Sequence, residues 1–179
     1  MKFNVGITSV LRRYLVGALI CAGSAAVLTG CEPIAPSSPA VATSRDTSAN
    51  IGATTRFDPV RFSGDWHVVA RFNETGKTPA REAIAVSYDP STLRIVMLGA
   101  DGARTYAYSG SAALRSQKGE PLVVMWVDEG FRTAVLGTPS GKVGYVLDRK
   151  PKPSPDRYKA ATEILTFYGW DISRLQRTK

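Results

Sequence analysis

Residues 61–72 read Arg-Phe-Ser-Gly-Asp-Trp-His-Val-Val-Ala-Arg-Phe, a pattern typical of a β-strand that is entered through a tight turn. Gly64 permits a backbone conformation that a side chain would obstruct. Because side chains alternate along a strand, Trp66, Val68 and Ala70 are predicted to share one face. The opposite face is predicted to hold Asp65, His67, Val69 and Arg71. The stretch therefore predicts a first strand at whose beginning Trp66 fills the end of a closing sheet.

Six further stretches have the alternating or wholly apolar character of short strands. They are residues 81–88, 93–98, 105–114, 122–127, 131–137 and 143–149. Turn signals separate them, among them Asp89-Pro90-Ser91 and Asp101-Gly102. Seven short strands joined by tight turns predict an all-β protein with an antiparallel, up-and-down sheet, and closure into a barrel would remove the exposed edges.

The pattern becomes helical after residue 153. Ser154 is suited to cap a helix and Pro155 to occupy its first position, while Gly169 is suited to end it. Between them Tyr158 and Leu165 belong to a set of residues spaced to share one helical face. One C-terminal α-helix packed on the outside of the barrel is therefore predicted, and residues 172–175 could add a short last strand.

The first 30 residues are interpreted as a lipoprotein signal peptide, outside the fold. Three basic residues precede an apolar run, residues 14–28, which is shorter than the roughly 20 residues that a membrane-spanning helix needs. The run ends in Leu28-Thr29-Gly30-Cys31, which resembles a bacterial lipobox. That resemblance implies that Cys31 becomes the new N-terminus and carries acyl chains such as palmitate. The alternative is an ordinary signal peptide with a chance cysteine.

Residues 31–56 are predicted to be the acylated cysteine and a disordered tether, since they are rich in Pro, Ser, Ala and Thr and lack a hydrophobic period. The folded domain is predicted to span residues 57–179. Glu32 stands where an Asp would favour the inner membrane, so the expected location is the cell envelope, anchored by lipid in the outer membrane and facing the periplasm.

Composition excludes several classes of function. The net charge is +8, but there is no dense basic block and no nucleic-acid-binding motif, so no nucleic-acid partner is predicted. Both cysteines, Cys21 and Cys31, precede the folded domain, which leaves it no disulfide and no cysteine metal site. The lone His67 is predicted to lie on an outer strand face, and no nucleophile motif occurs. The protein is therefore expected to be no enzyme, with no catalytic residue, metal or cofactor.

The N-terminal and C-terminal parts of the 57–179 region resemble the bacterial lipocalins, which are close relatives of apolipoprotein D. The Gly64-x-Trp66 pair resembles their opening motif, and residues 131–149 resemble their last two barrel strands. Residues 154–174, which end in Gly-Trp-Asp-Ile-Ser-Arg, resemble their C-terminal helix and the segment after it. The resemblance implies an eight-stranded barrel in which Gly64, Trp66 and Arg149 meet at the closed end.

Two features depart from the family pattern. The middle motif Thr-Asp-Tyr falls on Glu129-Gly130-Phe131, although Asp128 is adjacent. A lipocalin also needs eight strands before the helix, whereas seven are predicted. Either residues 112–116 form a very short extra strand or the barrel is trimmed.

The resemblance implies a cup for a small hydrophobic ligand such as a fatty acid or a lysophospholipid, stored or transported at the envelope. The predicted ligand contacts are Val68, Ala70, Tyr106, Tyr108, Tyr145 and Leu147, in a cup with apolar walls. The alternative is a structural or assembly lipoprotein whose barrel is filled by its own side chains. The predicted partners are the lipid ligand and, through the acyl chains, a membrane. The sequence does not give an oligomeric state.

Overall fold

The computed structural model describes residues 43–72 and 79–179, which belong to one compact unit, Pro39–Lys179. The predicted signal peptide, Cys31 and the tether as far as residue 42 lie outside the described residues. No helix in the described part of the chain is long and apolar enough to cross a bilayer.

The described residues form one antiparallel sheet with a helix on its outside. The strands are β1 Gly64–Phe72, β2 Glu82–Asp89, β3 Arg94–Gly99, β4 Gly102–Ala107, β5 Ala113–Ser116, β6 Leu122–Val127, β7 Thr133–Gly137, β8 Gly144–Asp148 and β9 Leu175–Arg177. The helices are α1 Pro59–Phe62 and α2 Pro155–Phe167, followed by a 3-10 turn at Ile172–Arg174. β1 to β8 pair in chain order and β1 also pairs with β8, so eight strands close into a barrel. The predicted fold class is confirmed.

The eighth strand lies within residues 112–116, the possible extra strand, and overlaps the end of the stretch 105–114 that the sequence predicted as one strand. β4 ends at Ala107 and β5 begins at Ala113, and between them Gly110 has a φ of +82°, which glycine adopts readily. β5 pairs with both β4 and β6. The short extra strand is therefore present, and the alternative of a trimmed barrel is wrong.

Residues 43–56 require a correction, because the sequence predicted a disordered tether there. Arg45 is only 4% exposed, and its guanidinium donates to the carbonyls of Tyr168 (2.9 Å), Pro139 (2.7 Å) and Ala49. Thr54 N–H donates to the carbonyl of Val124 at 2.9 Å. The Arg45 guanidinium also lies at the C-terminal end of α2, where the helix dipole favours positive charge. The segment is thus fixed to the barrel, and the expected boundary at residue 57 is too late.

The two ends of α2 differ from each other in how they are capped. Ser154 occupies the N-cap position, but its side chain makes no capping hydrogen bond. At the other end Gly169 has a φ of +81°, and Gly169 N–H and Trp170 N–H donate to the carbonyls of Thr166 and Leu165. This is a Schellman ending, which satisfies helix carbonyls that would otherwise lack partners. The chain then makes the 3-10 turn, and β9 follows three residues later than the predicted start of the last strand.

Apolar side chains form two layers, one on each side of the barrel wall. The inner layer includes Trp66, Ile95, Leu114, Leu136 and Leu147, and the outer layer, under α2, includes Phe72, Val135, Val146, Leu165 and Trp170. The indole of Trp170 lies so close to Gly137 and Gly144 that a Cβ on either glycine would come within 2.5 Å of it. The wall of the barrel is therefore buried on both faces beneath α2.

Candidate functional site

The barrel has one end closed by aromatic and cationic side chains, where β1 begins and β8 ends. Trp66 is completely buried, and Cζ of Arg149 lies 3.9 Å from the centroid of its ring. The Trp66 indole N–H donates to the carbonyl of Phe62, the last residue of α1, at 2.8 Å. Gly64 has a φ of +102°, and a Cβ there would lie 3.1 Å from Nη1 of Arg149. The structure therefore brings Gly64, Trp66 and Arg149 together.

The Arg149 guanidinium also binds the backbone of the segment that enters the barrel. Its Nη atoms donate to the carbonyls of Arg61, Ser63 and Asp65, each at 2.9 Å. Its Nε donates to the carbonyl of Phe131 at 3.2 Å. Burial lowers the pKa of Arg149, and the nearby Asp65 only partly opposes this effect. Arg149 thus links α1, β1 and the β6–β7 loop.

Asp128 organises the β6–β7 loop. It is adjacent to Glu129-Gly130-Phe131, where the motif Thr-Asp-Tyr is not matched. Its carboxylate accepts hydrogen bonds from the backbone N–H groups of Gly130, Arg132 and Thr133 and from the Arg132 side chain. Burial opposes ionisation, but these hydrogen bonds outweigh it and lower the pKa of the Asp128 carboxyl. The side chain therefore has a structural role at the closed end.

The half of the barrel next to the closed end is filled. Ile95, Leu114, Val124, Leu136 and Leu147 are at most 1% exposed and pack with Trp66 and Val68. Val68 and Leu147, predicted as ligand contacts, are part of this filling and do not line the cavity at the other end. Tyr108 lies at the closed end as well, with its ring centroid 5.8 Å from those of Phe57 and Tyr88.

A cavity of about 320 Å³ opens at the opposite end, among the β3–β4, β5–β6 and β7–β8 turns. Its apolar and aromatic lining consists of Ile84, Met97, Tyr106, Leu122, Val143 and Tyr145. Its charged lining consists of Glu82, Asp101, Arg104, Lys118, Glu120 and Lys142. Of the six predicted ligand contacts, Tyr106 and Tyr145 line this cavity. The expectation of purely apolar walls is wrong, because charged residues line the mouth.

A β-bulge in β1 changes which residues face this cavity. The register between β1 and β8 shifts between Val68 and Ala70, so the alternation that begins at Trp66 is reversed beyond Val69. Ala70 consequently packs in the outer layer under α2, and its prediction as a ligand contact is wrong. Arg71 instead turns toward the lumen, where its Nη1 lies 3.1 Å from Oε2 of Glu82 and its Cζ 5.7 Å from the Tyr145 ring.

Arg104 is, after Arg71, the second cation near the cavity that the sequence did not predict. Its polar interaction with the Tyr145 hydroxyl raises the pKa of Arg104, although partial burial opposes this, and it also interacts with Tyr106. Burial raises the pKa of Tyr106, so its phenol stays protonated and can donate a hydrogen bond. The alternation of β4 was the available signal, because Arg104 lies two residues from Tyr106 and so on the same face.

No group of three or more His, Cys, Asp or Glu side chains within residues 43–72 and 79–179 is arranged to hold a metal ion. His67 and Val68 line a second hollow of about 280 Å³ together with Arg81, Glu82, Ala83, Pro151 and Thr178. Across the strand pair His67 is opposite Ala83 of β2.

Comparison with known proteins agrees with this architecture. Residues 107–179 match the family model described as a lipocalin-like domain. No curated protein matches the chain significantly by sequence. Among solved structures, the major allergen Per a 4 from cockroaches is similar with a TM-score of 0.54 at 11% identity, over 75% of this chain and 96% of that one.

Two other solved structures have lower TM-scores. Lobster apocrustacyanin A1 is 15% identical with a TM-score of 0.49, over 66% of this chain and 77% of that one. The siderocalin Ex-FABP is 13% identical with a TM-score of 0.49, over 66% of this chain and 93% of that one. The closed eight-stranded antiparallel barrel with a C-terminal helix on its outside is the lipocalin fold, and residues 107–179 match the model of a lipocalin-like domain.

Proposed function

We propose that the protein is a lipocalin that binds a small hydrophobic ligand with one acyl chain, a fatty acid or a lysophospholipid, in the cavity at the open end of the barrel. The observation that carries the proposal is a space of about 320 Å³ whose inner wall is formed by Ile84, Met97 and Leu122 and which the core leaves unfilled. Its role would be that of a carrier or store and not of an enzyme.

The size of the cavity limits the ligand. Pockets for small molecules have volumes of roughly 300–1,000 Å³, so this cavity is at the lower end. The filled half of the barrel prevents a long chain from extending toward Trp66. We therefore expect a ligand with a short or medium acyl chain.

A series of unbranched alkanoates from hexanoate to hexadecanoate tests the proposal. Each methylene that enters the cavity should strengthen binding by about 0.8 kcal/mol, or about fourfold in Kd. The gain should stop once the apolar space is full, so longer chains should bind no more tightly. Titration calorimetry of the purified protein measures this profile.

Val143→Trp serves as a control, because an indole at this cavity-lining position should occupy the space and weaken the binding of every chain length. A folded protein that binds none of the alkanoates would favour the alternative function. That alternative is a structural or assembly lipoprotein, and the completely filled half of the barrel is the observation in its favour.

We further propose that the protein is anchored in a membrane through acylated Cys31, on the basis of the Leu28-Thr-Gly-Cys31 sequence. Stable anchoring needs more than one acyl chain, as the amine and the sulfur of an N-terminal cysteine could carry. Glu32 favours the outer membrane, with the domain in the periplasm.

Cys31→Ser should abolish incorporation of labelled palmitate and move the protein from the membrane fraction to the soluble fraction. Cys21→Ser is the matched control and should leave both unchanged. Labelling that persists in Cys31→Ser would show that acylation does not occur at this residue.

A further inference from the structure

We infer that the cavity recognises a carboxylate through Arg104, Tyr106 and Tyr145, so that the ligand is a single-chain carboxylic acid held by its head group at the mouth. The inference rests on the proposed function and selects the acid over the lysophospholipid. Its basis is the arrangement of charged and hydroxyl groups in the lumen.

Arg104 and Tyr145 project from opposite walls of the barrel. They belong to β4 and β8, and three strands lie between these two strands in either direction around the ring. Both side chains line the cavity, so they face it from two sides. Tyr106, on the same face of β4 as Arg104, adds a second hydroxyl group.

These groups match the needs of a carboxylate. A guanidinium donates in a planar fork that suits two carboxylate oxygens, and the two phenols can donate as well. In the structure Arg104 interacts with the two phenols and with Asp101, whose Oδ2 is 3.6 Å from Nη2 of Arg104. Both side chains of this ion pair are more than half exposed, at 52% and 73%, so Asp101 competes weakly. A ligand carboxylate would be the stronger partner.

The two glutamates that line the cavity already have close partners. Glu82 neutralises Arg71 at 3.1 Å, and the Glu120 carboxylate accepts hydrogen bonds from the backbone and the hydroxyl of Ser140. Glu82 and Glu120 therefore already have partners other than Arg104.

Titration calorimetry with decanoate and with decanol separates head-group recognition from burial of the chain. We expect decanoate to bind about 10- to 100-fold more tightly, the effect of a hydrogen bond to a charged group. Arg104→Gln should remove most of this preference and leave the Kd of decanol within about threefold. Tyr145→Phe should weaken decanoate binding several-fold, which tests the same site without a change of charge.

Arg94→Gln is the matched control, because it removes the same charge from an exposed position at the closed-end side of β3. It should change neither Kd. Equal binding of decanoate and decanol, or equally tight binding of decanoyl lysophosphatidylcholine, would overturn the inference and leave the proposed function standing. A loss of decanoate affinity in Arg94→Gln as large as in Arg104→Gln would assign the preference to net charge and also overturn it. Failure of all three probes to bind would contradict the proposed function itself.

Discussion

Trp66→Ala is expected to lower the free energy of unfolding by about 3–5 kcal/mol, the cost of truncating a fully buried aromatic side chain. The ring is 4.9 Å from that of Phe62 and beneath the Arg149 guanidinium, so the surroundings are held by several elements and cannot simply collapse into the space. Urea denaturation followed by circular dichroism measures the change. Trp126→Ala is the control and should cost less, since Trp126 is only partly buried in the outer layer.

Arg149→Ala tests whether Trp66 and Arg149 act together. Loss of the guanidinium should lower the free energy of unfolding by about 1.5–3 kcal/mol, because hydrogen bonds from a charged donor are lost in addition to the stacking on Trp66. In the double variant the guanidinium and the ring are both absent, so the effects should fall short of additivity by about 0.5 kcal/mol or more. Additive costs would mean that the contact contributes nothing to stability.

The order of strands and the helix could be predicted from the sequence because their signals are local. The bounds of β1, residues 64–72, follow from the glycine and the alternation that comes after it. The error in the stretch 105–114 was avoidable, since Ser109-Gly110-Ser111 is a turn signal within an otherwise regular pattern. Tyr108 was wrongly predicted as a ligand contact for the same reason, because β4 ends at Ala107, before it.

The errors at Ala70 and Arg71 have a different cause. Alternation assigns a face to every residue of a strand, but a single bulge reverses all later assignments. Nothing in Val68-Val69-Ala70 marks Val69 as the bulged residue, because the preference arises from pairing with β8. Arg71, one of the cations near the candidate site, was therefore hidden in the stretch whose pattern is clearest.

The ordered segment at residues 43–56 could not be foreseen from composition. A stretch rich in Thr, Ser and Ala lacks the apolar residues that usually fix a chain. Here the fixed group is the Arg45 guanidinium, which satisfies carbonyls of residues more than 90 positions away. Such contacts depend on the completed barrel and leave no local signal.

A buried network connects α2 to the barrel wall, and its centre is Asp148 at the end of β8. The carboxylate is 0% exposed, and its Oδ2 accepts from the hydroxyl of Thr133 at 2.5 Å and from Nη2 of Arg157 at 3.3 Å. Arg157, in the first half of α2, also donates from Nε to the Thr133 hydroxyl oxygen at 2.7 Å. Three elements, β7, β8 and α2, therefore share one set of polar groups.

Asp148→Ala should destabilise the protein by about 3–5 kcal/mol, because the largely buried Arg157 cation would lose its carboxylate partner and the Thr133 hydroxyl its acceptor. Asp148→Asn should cost less, since an amide oxygen can still accept both hydrogen bonds. The matched control is Asp156→Ala, which removes an exposed carboxylate one residue before Arg157 and should change the free energy of unfolding by no more than about 1 kcal/mol. Urea denaturation of the three variants gives the order of their losses in free energy of unfolding. Similar costs for Asp148→Ala and Asp156→Ala would show that the buried network does not hold α2 to the barrel.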